Sequence, residues 1–218
     1  MLRHILSAYR RDVAPNTWRF EQNQCGKPFI AVDQCRRDLY FNLSHTNGLV
    51  ALAVSRYPLT GVDIEMSSDR TRALSLTKYV LTTAEQRIYT NLDEEGKRKL
   101  FYTLWTLKEA YVKALGTGLS TPMTSFGFYL DIHGEPVIAD SNGYLLDNNF
   151  WRFYQASLNC EYNMALAYWF PEKRADVIIG ADLQNEENHI QKEIQILQLP
   201  ESFLYDSKSI AMSKLPIC

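Results

Sequence analysis

Two chemically useful side chains stand one helical turn apart in the segment WTLKEAYVKALGTG, residues 105–118. On a helix, Trp105, Glu109 and Lys113 lie along one face, because their positions differ by four. An ordinary surface pair of this kind contributes roughly 0.2–0.5 kcal/mol. Because the face begins with a tryptophan and ends at a Gly-x-Gly stop among apolar residues, we favour a chemical role for the pair.

Two further acids lie in GVDIE, residues 61–65. The alternation places Asp63 and Glu65 on one face of a strand and the apolar Val62 and Ile64 on the other. Adjacent carboxylates repel each other unless both face water or share a cation. The pattern therefore leaves two interpretations open, an exposed edge strand and an acidic metal site.

Small polar residues and a lysine precede these acids. Lys27 lies in a Gly-Lys-Pro turn, where a solvated lysine is the ordinary interpretation. Ser44 and His45 begin a polar turn between strands predicted over 39–43 and 49–54, the second of which is continuously apolar and therefore buried. A histidine at the rim of a sheet is more often structural than catalytic.

Helices are predicted between the acids and beyond them. The chain is helical with an interruption from Arg70 to Leu92, and Thr82 with Glu85 fits a capping box within it. The next helix starts at Asp93 and ends at Gly116. Its core stripe consists of Leu100, Leu104, Leu107, Tyr111 and Ala114.

The order of elements predicts an α+β fold. The chain mixes helices with antiparallel strands and shows no βαβ alternation. The predicted elements are a first helix, short strands, the helices described above and two later hairpins. We expect two similar α+β lobes packed side by side, residues 1–60 and 61–170, with the acids in the second. Residues 171–218 form a C-terminal extension in which we find no chemistry.

Composition limits the partners. The 218 residues carry a net charge of −2, which gives no general attraction to nucleic acid or to anionic membrane. The four cysteines are scattered without a CxxC, so neither a zinc site nor a disulfide framework is indicated. No segment approaches the roughly 18 apolar residues that span a bilayer. We expect a cytoplasmic monomer.

Taken together, four motifs resemble those of a 4′-phosphopantetheinyl transferase of the larger, two-lobed, surfactin-synthetase-activating (Sfp-like) type. They are GKP, NLSH, GVDIE and W-x-x-K-E-A-x-x-K-x-x-G-x-G-L-S. The resemblance covers about residues 3–170 and depends on the order and spacing of the motifs. It implies Mg²⁺-dependent transfer of 4′-phosphopantetheine from coenzyme A to a serine of an acyl or peptidyl carrier protein. The other product is 3′,5′-ADP.

The resemblance also implies roles for individual residues. Asp63, Glu65 and Glu109 match the metal ligands, and Lys113 matches a catalytic, phosphate-stabilising lysine. The positions implied to bind coenzyme A are Lys27, Ser44, His45, Lys108 and Lys113. Glu85 matches an acid proposed as a base near the acceptor, and this role competes equally with the capping box.

The chain departs from the family pattern ahead of GKP. Members usually have a longer segment there, whose basic residues hold the 3′-phosphate of coenzyme A, whereas Arg3, Arg10 and Arg11 are the candidates here. We therefore expect a shortened first lobe. The shortened lobe favours one alternative, a carrier-binding protein without activity. The chemistry of the acids alone leaves a second alternative, a metal-dependent phosphoryl hydrolase.

Overall fold

The computed structural model describes residues 1–34, 39–67, 70–131, 133–146, 150–158, 161–170, 195–196 and 199–200. Within these ranges the chain mixes helices with antiparallel strands, which confirms the α+β class. The described α-helices are α1 (Leu2–Tyr9), α2 (Arg70–Val80), α3 (Thr83–Thr90) and α4 (Glu94–Leu115). None of them is long and apolar enough to cross a membrane.

Helix ends follow the capping signals. The Thr82 side chain accepts a hydrogen bond from the Glu85 backbone at 3.1 Å, and the Glu85 carboxylate accepts one from the Thr82 backbone at 2.8 Å. The predicted capping box is thus confirmed. Asp93 caps the first turn of α4, and Gly116 ends that helix with a φ of +70°. A residue without Cβ adopts this left-handed conformation at little cost.

The strands of the described regions form hairpins and small antiparallel sheets. They are β1 (Phe20–Gln22), β2 (Pro28–Ile30), β3 (Tyr40–Thr46), β4 (Leu49–Ser55), β5 (Thr60–Met66), β6 (Phe126–Leu130), β7 (Pro136–Asp140), β8 (Trp151–Leu158), β9 (Tyr162–Trp169), β10 (Gln195–Ile196) and β11 (Leu199–Pro200). β1 pairs with β2, β6 with β7, and β9 lies between β5 and β8. β4 pairs with β3, and also with β10 and β11.

The predicted polar turn at Ser44 and His45 is wrong in position. Both residues lie inside β3, which continues to Thr46, and the turn to β4 is made at Asn47 and Gly48. The register of β3 with β4 explains this, because Ser44 pairs with Ala51 and His45 with Val50. The serine is therefore held on a strand face and not on a loop.

β3 and β5 lie side by side and are joined through side chains. The Asn42 side-chain oxygen accepts from the Val62 backbone at 2.9 Å, and the Thr46 hydroxyl accepts from the Met66 backbone at 3.2 Å. Both contacts link residues 20 apart, so the two strands run in the same direction. This contact brings Ser44 next to the acids of β5.

The hydrophobic core crosses the predicted lobe boundary. One cluster packs α1 and Trp18 against β3 and β4, and another packs α4 against β6 and β8. A third joins β4 to β5 and β9 through residues such as Ala51, Ile64 and Leu166. The division at residue 60 stays a prediction, and most of the predicted extension, 171–218, lies outside the described residues.

The backbone of helix α4 packs directly against the backbone of β5 at Gly61. A Cβ placed on Gly61 would lie 2.1 Å from the Ala110 carbonyl oxygen and 2.4 Å from the Ala114 nitrogen. Only glycine permits this approach, which sets Asp63, two residues further along the same strand face, against α4.

Candidate active site

Asp63, Lys113 and Ser44 form a closed hydrogen-bonded group where β3, β5 and α4 meet. The Lys113 ammonium lies 2.6 Å from Asp63 Oδ1 and donates to Ser44 Oγ at 2.9 Å. The Ser44 hydroxyl donates to the same Asp63 oxygen at 2.8 Å. Asp63 is buried, whereas Lys113 keeps 29% of its side chain exposed. The Lys113 ammonium is thus held at the boundary between the protein interior and solvent.

The second oxygen of Asp63 is a buried acceptor without a hydrogen-bond partner. A buried polar atom of this kind is costly unless something outside the chain satisfies it. A divalent cation bound by carboxylate oxygens fits such an atom. Across the described parts of the chain, however, no three His, Cys, Asp or Glu side chains lie close enough together to hold a metal ion by themselves.

A cavity of about 600 Å³ adjoins this group. Lys27, Glu109 and Lys113 lie in its lining, so the structure brings these three predicted residues to one place. Apolar side chains from α2 and from the segment after α4 also line the cavity, and among them Tyr79 and Leu119 are well exposed. The cavity therefore combines two lysines and a carboxylate with an apolar wall.

The Lys27 ammonium is directed at backbone carbonyls. It donates to Ala114 at 2.8 Å, to Thr60 at 3.2 Å and to Pro58 at 3.3 Å. The first acceptor lies in the last turn of α4, where a cation is favoured by the helix dipole. Burial lowers the pKa of Lys27 to about 8. The alternative of a solvated turn lysine is therefore excluded.

Glu65 and His45 are placed less centrally. Glu65 shares the strand face of Asp63, as predicted, and is half-buried near the end of β5. His45 is exposed and, by strand alternation, lies on the face of β3 opposite to Ser44. Their predicted roles stay predictions.

Residues 60–167 match the family model described as the 4′-phosphopantetheinyl transferase superfamily. Relatives of the same description align with the chain. A Nostoc 4′-phosphopantetheinyl transferase, HetI, is 35% identical over 120 residues, which are 55% of this chain and 50% of the relative. A Bacillus subtilis 4′-phosphopantetheinyl transferase is 29% identical over 172 residues, 79% of this chain and 72% of the relative.

The chain belongs to the 4′-phosphopantetheinyl transferase superfamily. The Sfp protein of Bacillus subtilis is also similar, at 32% identity over 55% of this chain and 51% of Sfp. The chain spans about half the length of several of these relatives. A solved holo-(acyl-carrier-protein) synthase from Bacillus anthracis, in complex with CoA (3′,5′-ADP), covers 53% of the chain and 96% of its own length, at 20% identity and a TM-score of 0.44.

In this transferase-superfamily chain, Glu85 and Lys108 lie outside the cavity lining, as a buried ion pair. The Lys108 ammonium lies 2.6 Å from Glu85 Oε2, and the two side chains are 0% and 1% exposed. Burial lowers the pKa of Lys108, and the neighbouring Glu85 carboxylate opposes that shift. The other Glu85 oxygen accepts from the Phe128 backbone at 2.9 Å. The geometry favours a structural role for both residues.

The basic residues near the N-terminus have local partners. The Arg3 guanidinium donates to the Trp18 carbonyl and lies over the Phe20 ring, 5.1 Å from its centroid. Arg10 pairs with Asp12 at 2.8 Å. The Arg3 contacts hold the first helix against residues 18–20, whereas the Arg10 pair is local to the end of the helix.

Sequence reasoning missed Asn23. Its side-chain amide donates to the Gly116 carbonyl at 2.7 Å, and its side-chain oxygen accepts from the Lys27 backbone at 2.8 Å. Asn23 thereby fastens the Lys27 turn to the end of α4. The available signal was an asparagine before Gly26, because asparagine side chains commonly bond to the backbone of a turn.

Proposed function

We propose that the protein transfers the 4′-phosphopantetheine group from coenzyme A to a serine of an acyl or peptidyl carrier protein. The observation that carries this proposal is the contact of Lys113 with Asp63 and Ser44 beside the cavity, on the motifs that match the superfamily. A fixed ammonium near a buried carboxylate suits a reaction in which phosphate charge must be stabilised.

The reaction forms one phosphorus–oxygen bond and breaks another. The serine hydroxyl oxygen of the carrier attacks the β-phosphorus of coenzyme A. The bond from this phosphorus to the bridging oxygen of the pyrophosphate breaks, and 3′,5′-ADP leaves with that oxygen. The serine proton passes to a carboxylate or to water. Phosphoryl transfer of this type depends mostly on positioning and on charge stabilisation.

Three residues are proposed to do this work. Lys113 stabilises the negative charge on the phosphoryl oxygens, because its ammonium is held at the cavity by Asp63 and Ser44. Glu109 accepts the serine proton, since it is the carboxylate among the described residues that line the cavity. This assignment prefers Glu109 over Glu85, which is buried outside the cavity lining.

Mg²⁺ is proposed as the cofactor, with Asp63, Glu65 and Glu109 as its ligands. Asp63 offers its buried, unpartnered Oδ2, and Glu65 lies on the same strand face. When bound, the ion neutralises the pyrophosphate charge. The residues that orient coenzyme A by its phosphates are proposed to be Lys27, Ser44, His45 and Lys113. Among these, Lys27 and Lys113 lie in the cavity lining.

The test is to incubate the protein with coenzyme A, Mg²⁺ and purified acyl and peptidyl carrier domains and to weigh the carriers by mass spectrometry. We expect the mass gain of one phosphopantetheine group, which is lost when the acceptor serine is replaced by alanine. If no carrier gains mass while a known transferase modifies the same samples, the proposal is wrong.

The same samples separate the two alternatives. A carrier-binding protein without activity would bind the carrier in calorimetry and would not bind coenzyme A with or without Mg²⁺. A metal-dependent hydrolase would release phosphate from a nucleotide without any carrier. A monomeric state and a cytoplasmic location stay predictions.

A further inference from the structure

The buried pair of Glu85 and Lys108 connects several elements at one point. The Lys108 ammonium has three protons and three acceptors: the Val80 carbonyl at 2.6 Å, Glu85 Oε2 at 2.6 Å and the Met123 carbonyl at 2.9 Å. Val80 ends α2, and Met123 lies in the 3₁₀ turn that precedes β6. The Lys108 side chain of α4 therefore links the end of α2 to the turn before β6.

Both carbonyls belong to residues that line the cavity. Val80 and Met123 form part of its apolar side, together with Leu76 and Tyr79 of α2. The Glu85 carboxylate extends the connection, because it accepts from the Phe128 backbone in β6 at 2.9 Å. We call this apolar side, formed by Leu76, Tyr79, Val80 and Met123, the apolar wall. It is attached to α4 through the hydrogen bonds made by Lys108 and Glu85.

Lys108 also precedes Glu109 in the helix. Consecutive helical residues point in directions about 100° apart, so burying Lys108 leaves Glu109 at the cavity. Fixing the Lys108 ammonium at three acceptors therefore fixes the rotation of α4 about its axis next to Glu109.

Stability alone does not explain the pair. Replacing a buried ion pair by apolar side chains is often neutral or stabilising, whereas removing one partner is strongly destabilising. Beyond its burial, the pair fixes one arrangement of the elements around it, because each of its hydrogen bonds has a defined direction.

We propose that Glu85 and Lys108 are positioning residues, which hold the apolar wall of the cavity against α4 and orient Glu109 for the reaction. Neither side chain touches the substrate in this proposal. The inference rests on the proposed function for its kinetic consequence, while its structural consequence can be measured without any substrate.

The test uses one steric and three charge variants. Lys108→Met leaves the Glu85 carboxylate and the Val80 and Met123 carbonyls without their donor. Glu85→Gln removes the charge that faces Lys108, and the double variant removes both charges. Gly127→Ala keeps both charges and shifts the Glu85 carboxylate by a few tenths of an ångström, because a Cβ there would lie 3.1 Å from Glu85 Oε1. Lys99→Met is the matched control on α4, with a side chain that is 72% exposed.

Three quantities are measured on the full chain: Tm, amide hydrogen exchange over residues 76–82 and 120–128, and kcat with KM for coenzyme A in carrier modification. We expect the double variant to regain part of the Tm that Lys108→Met loses, because the unpaired Glu85 charge is removed while the Val80 and Met123 carbonyls still lack their donor. We also expect faster exchange in both segments in every variant except the control. Because small misplacements of reacting groups are costly, kcat should fall about tenfold or more while KM changes less than about threefold.

Recovery of Tm in the double variant together with wild-type exchange and wild-type kcat would show that the pair only stabilises the fold. The same conclusion follows if a folded Gly127→Ala variant matches wild type in exchange and kcat. If wild type modifies no carrier, the proposed function fails, and the exchange data still decide whether the pair holds the wall.

Discussion

At the scale of single residues, the candidate site depends on contacts between distant parts of the chain. Ser44 and Asp63 are 19 residues apart and Asp63 and Lys113 are 50 apart, yet their side chains meet within 2.9 Å. The Lys113 ammonium lies between a buried carboxylate and the cavity. Its charge is therefore held in place by a carboxylate that lies 50 residues away in sequence.

Lys113→Ala should lower kcat for carrier modification by about 10²–10³-fold, because a fixed charge that stabilises the transferred phosphoryl group is removed. Steady-state kinetics measured well below the Tm of the variant checks this. Lys97→Ala is the control, since Lys97 lies on the same helix in a surface pair with Glu94 at 3.2 Å. Equal kcat values for Lys113→Ala and Lys97→Ala would contradict the assignment.

The Lys27 ammonium makes stability depend on pH. Burial lowers its folded-state pKa from 10.5 to about 8. Between these two values the unfolded chain keeps a proton that the folded chain has released. The unfolded state then binds more protons, so Lys27 makes the free energy of unfolding rise with pH across this window.

Lys27→Met lacks this contribution. We therefore expect the Tm of wild type, measured relative to that of Lys27→Met, to increase as the pH is raised from 8 toward 10.5. Calorimetry at several pH values measures it, with Lys99→Met as the control for losing one lysine. A Tm difference that is constant or decreases over this range would show that the Lys27 ammonium is not desolvated as the structure indicates.

At the scale of elements, the site depends on how closely α4 approaches β5. Gly61 permits the contact, because any Cβ would overlap the backbone of α4 at Ala110 and Ala114. The backbone of a helix cannot yield as a flexible side chain does. The separation of Asp63 from Lys113 is thereby set by a residue that has no side chain.

Gly61→Ala should destabilise the protein by about 1–3 kcal/mol or more through overpacking, and should lower carrier modification because α4 moves away from Asp63. Chemical denaturation and kinetics measure the two effects. The matched control is Gly134→Ala, where a Cβ meets no atom within 4 Å and the cost comes from a φ of +81° alone. A Gly61→Ala variant that is more stable than the control would contradict the close approach.

Most elements could be predicted because their signals are local. The alternation in residues 61–65, the capping box at Thr82 and the Gly116 stop each depend on neighbours in sequence, and the structure confirms all three. The polar turn at Ser44 was placed too early, because the pairing of β3 with β4 is set by the whole hairpin.

Contacts over long separations could not be predicted in the same way. The sequence places Glu85 at a helix start, but it contains no local signal that Lys108, 23 residues later, reaches its carboxylate. The Lys27 ammonium likewise reaches the Ala114 carbonyl across 87 residues. Both partnerships depend on the packing of α4, which local patterns do not specify.

At the scale of the whole molecule, the described chain is one connected structure across the predicted lobe boundary. The hydrophobic cluster of β4, β5 and β9 and the side-chain contacts between β3 and β5 join the two sides. Ser44 comes from one side, and Asp63 and Lys113 from the other. The candidate site therefore requires both.

The most direct measurement of the central claim follows both products of one reaction. Carrier domain, coenzyme A and Mg²⁺ are mixed with wild type or with Asp63→Asn, and carrier mass and 3′,5′-ADP are quantified over time. We predict one 3′,5′-ADP for each carrier modified by wild type, and neither product from the folded Asp63→Asn variant. Modification by Asp63→Asn at the wild-type rate, or 3′,5′-ADP without modified carrier, would contradict the account.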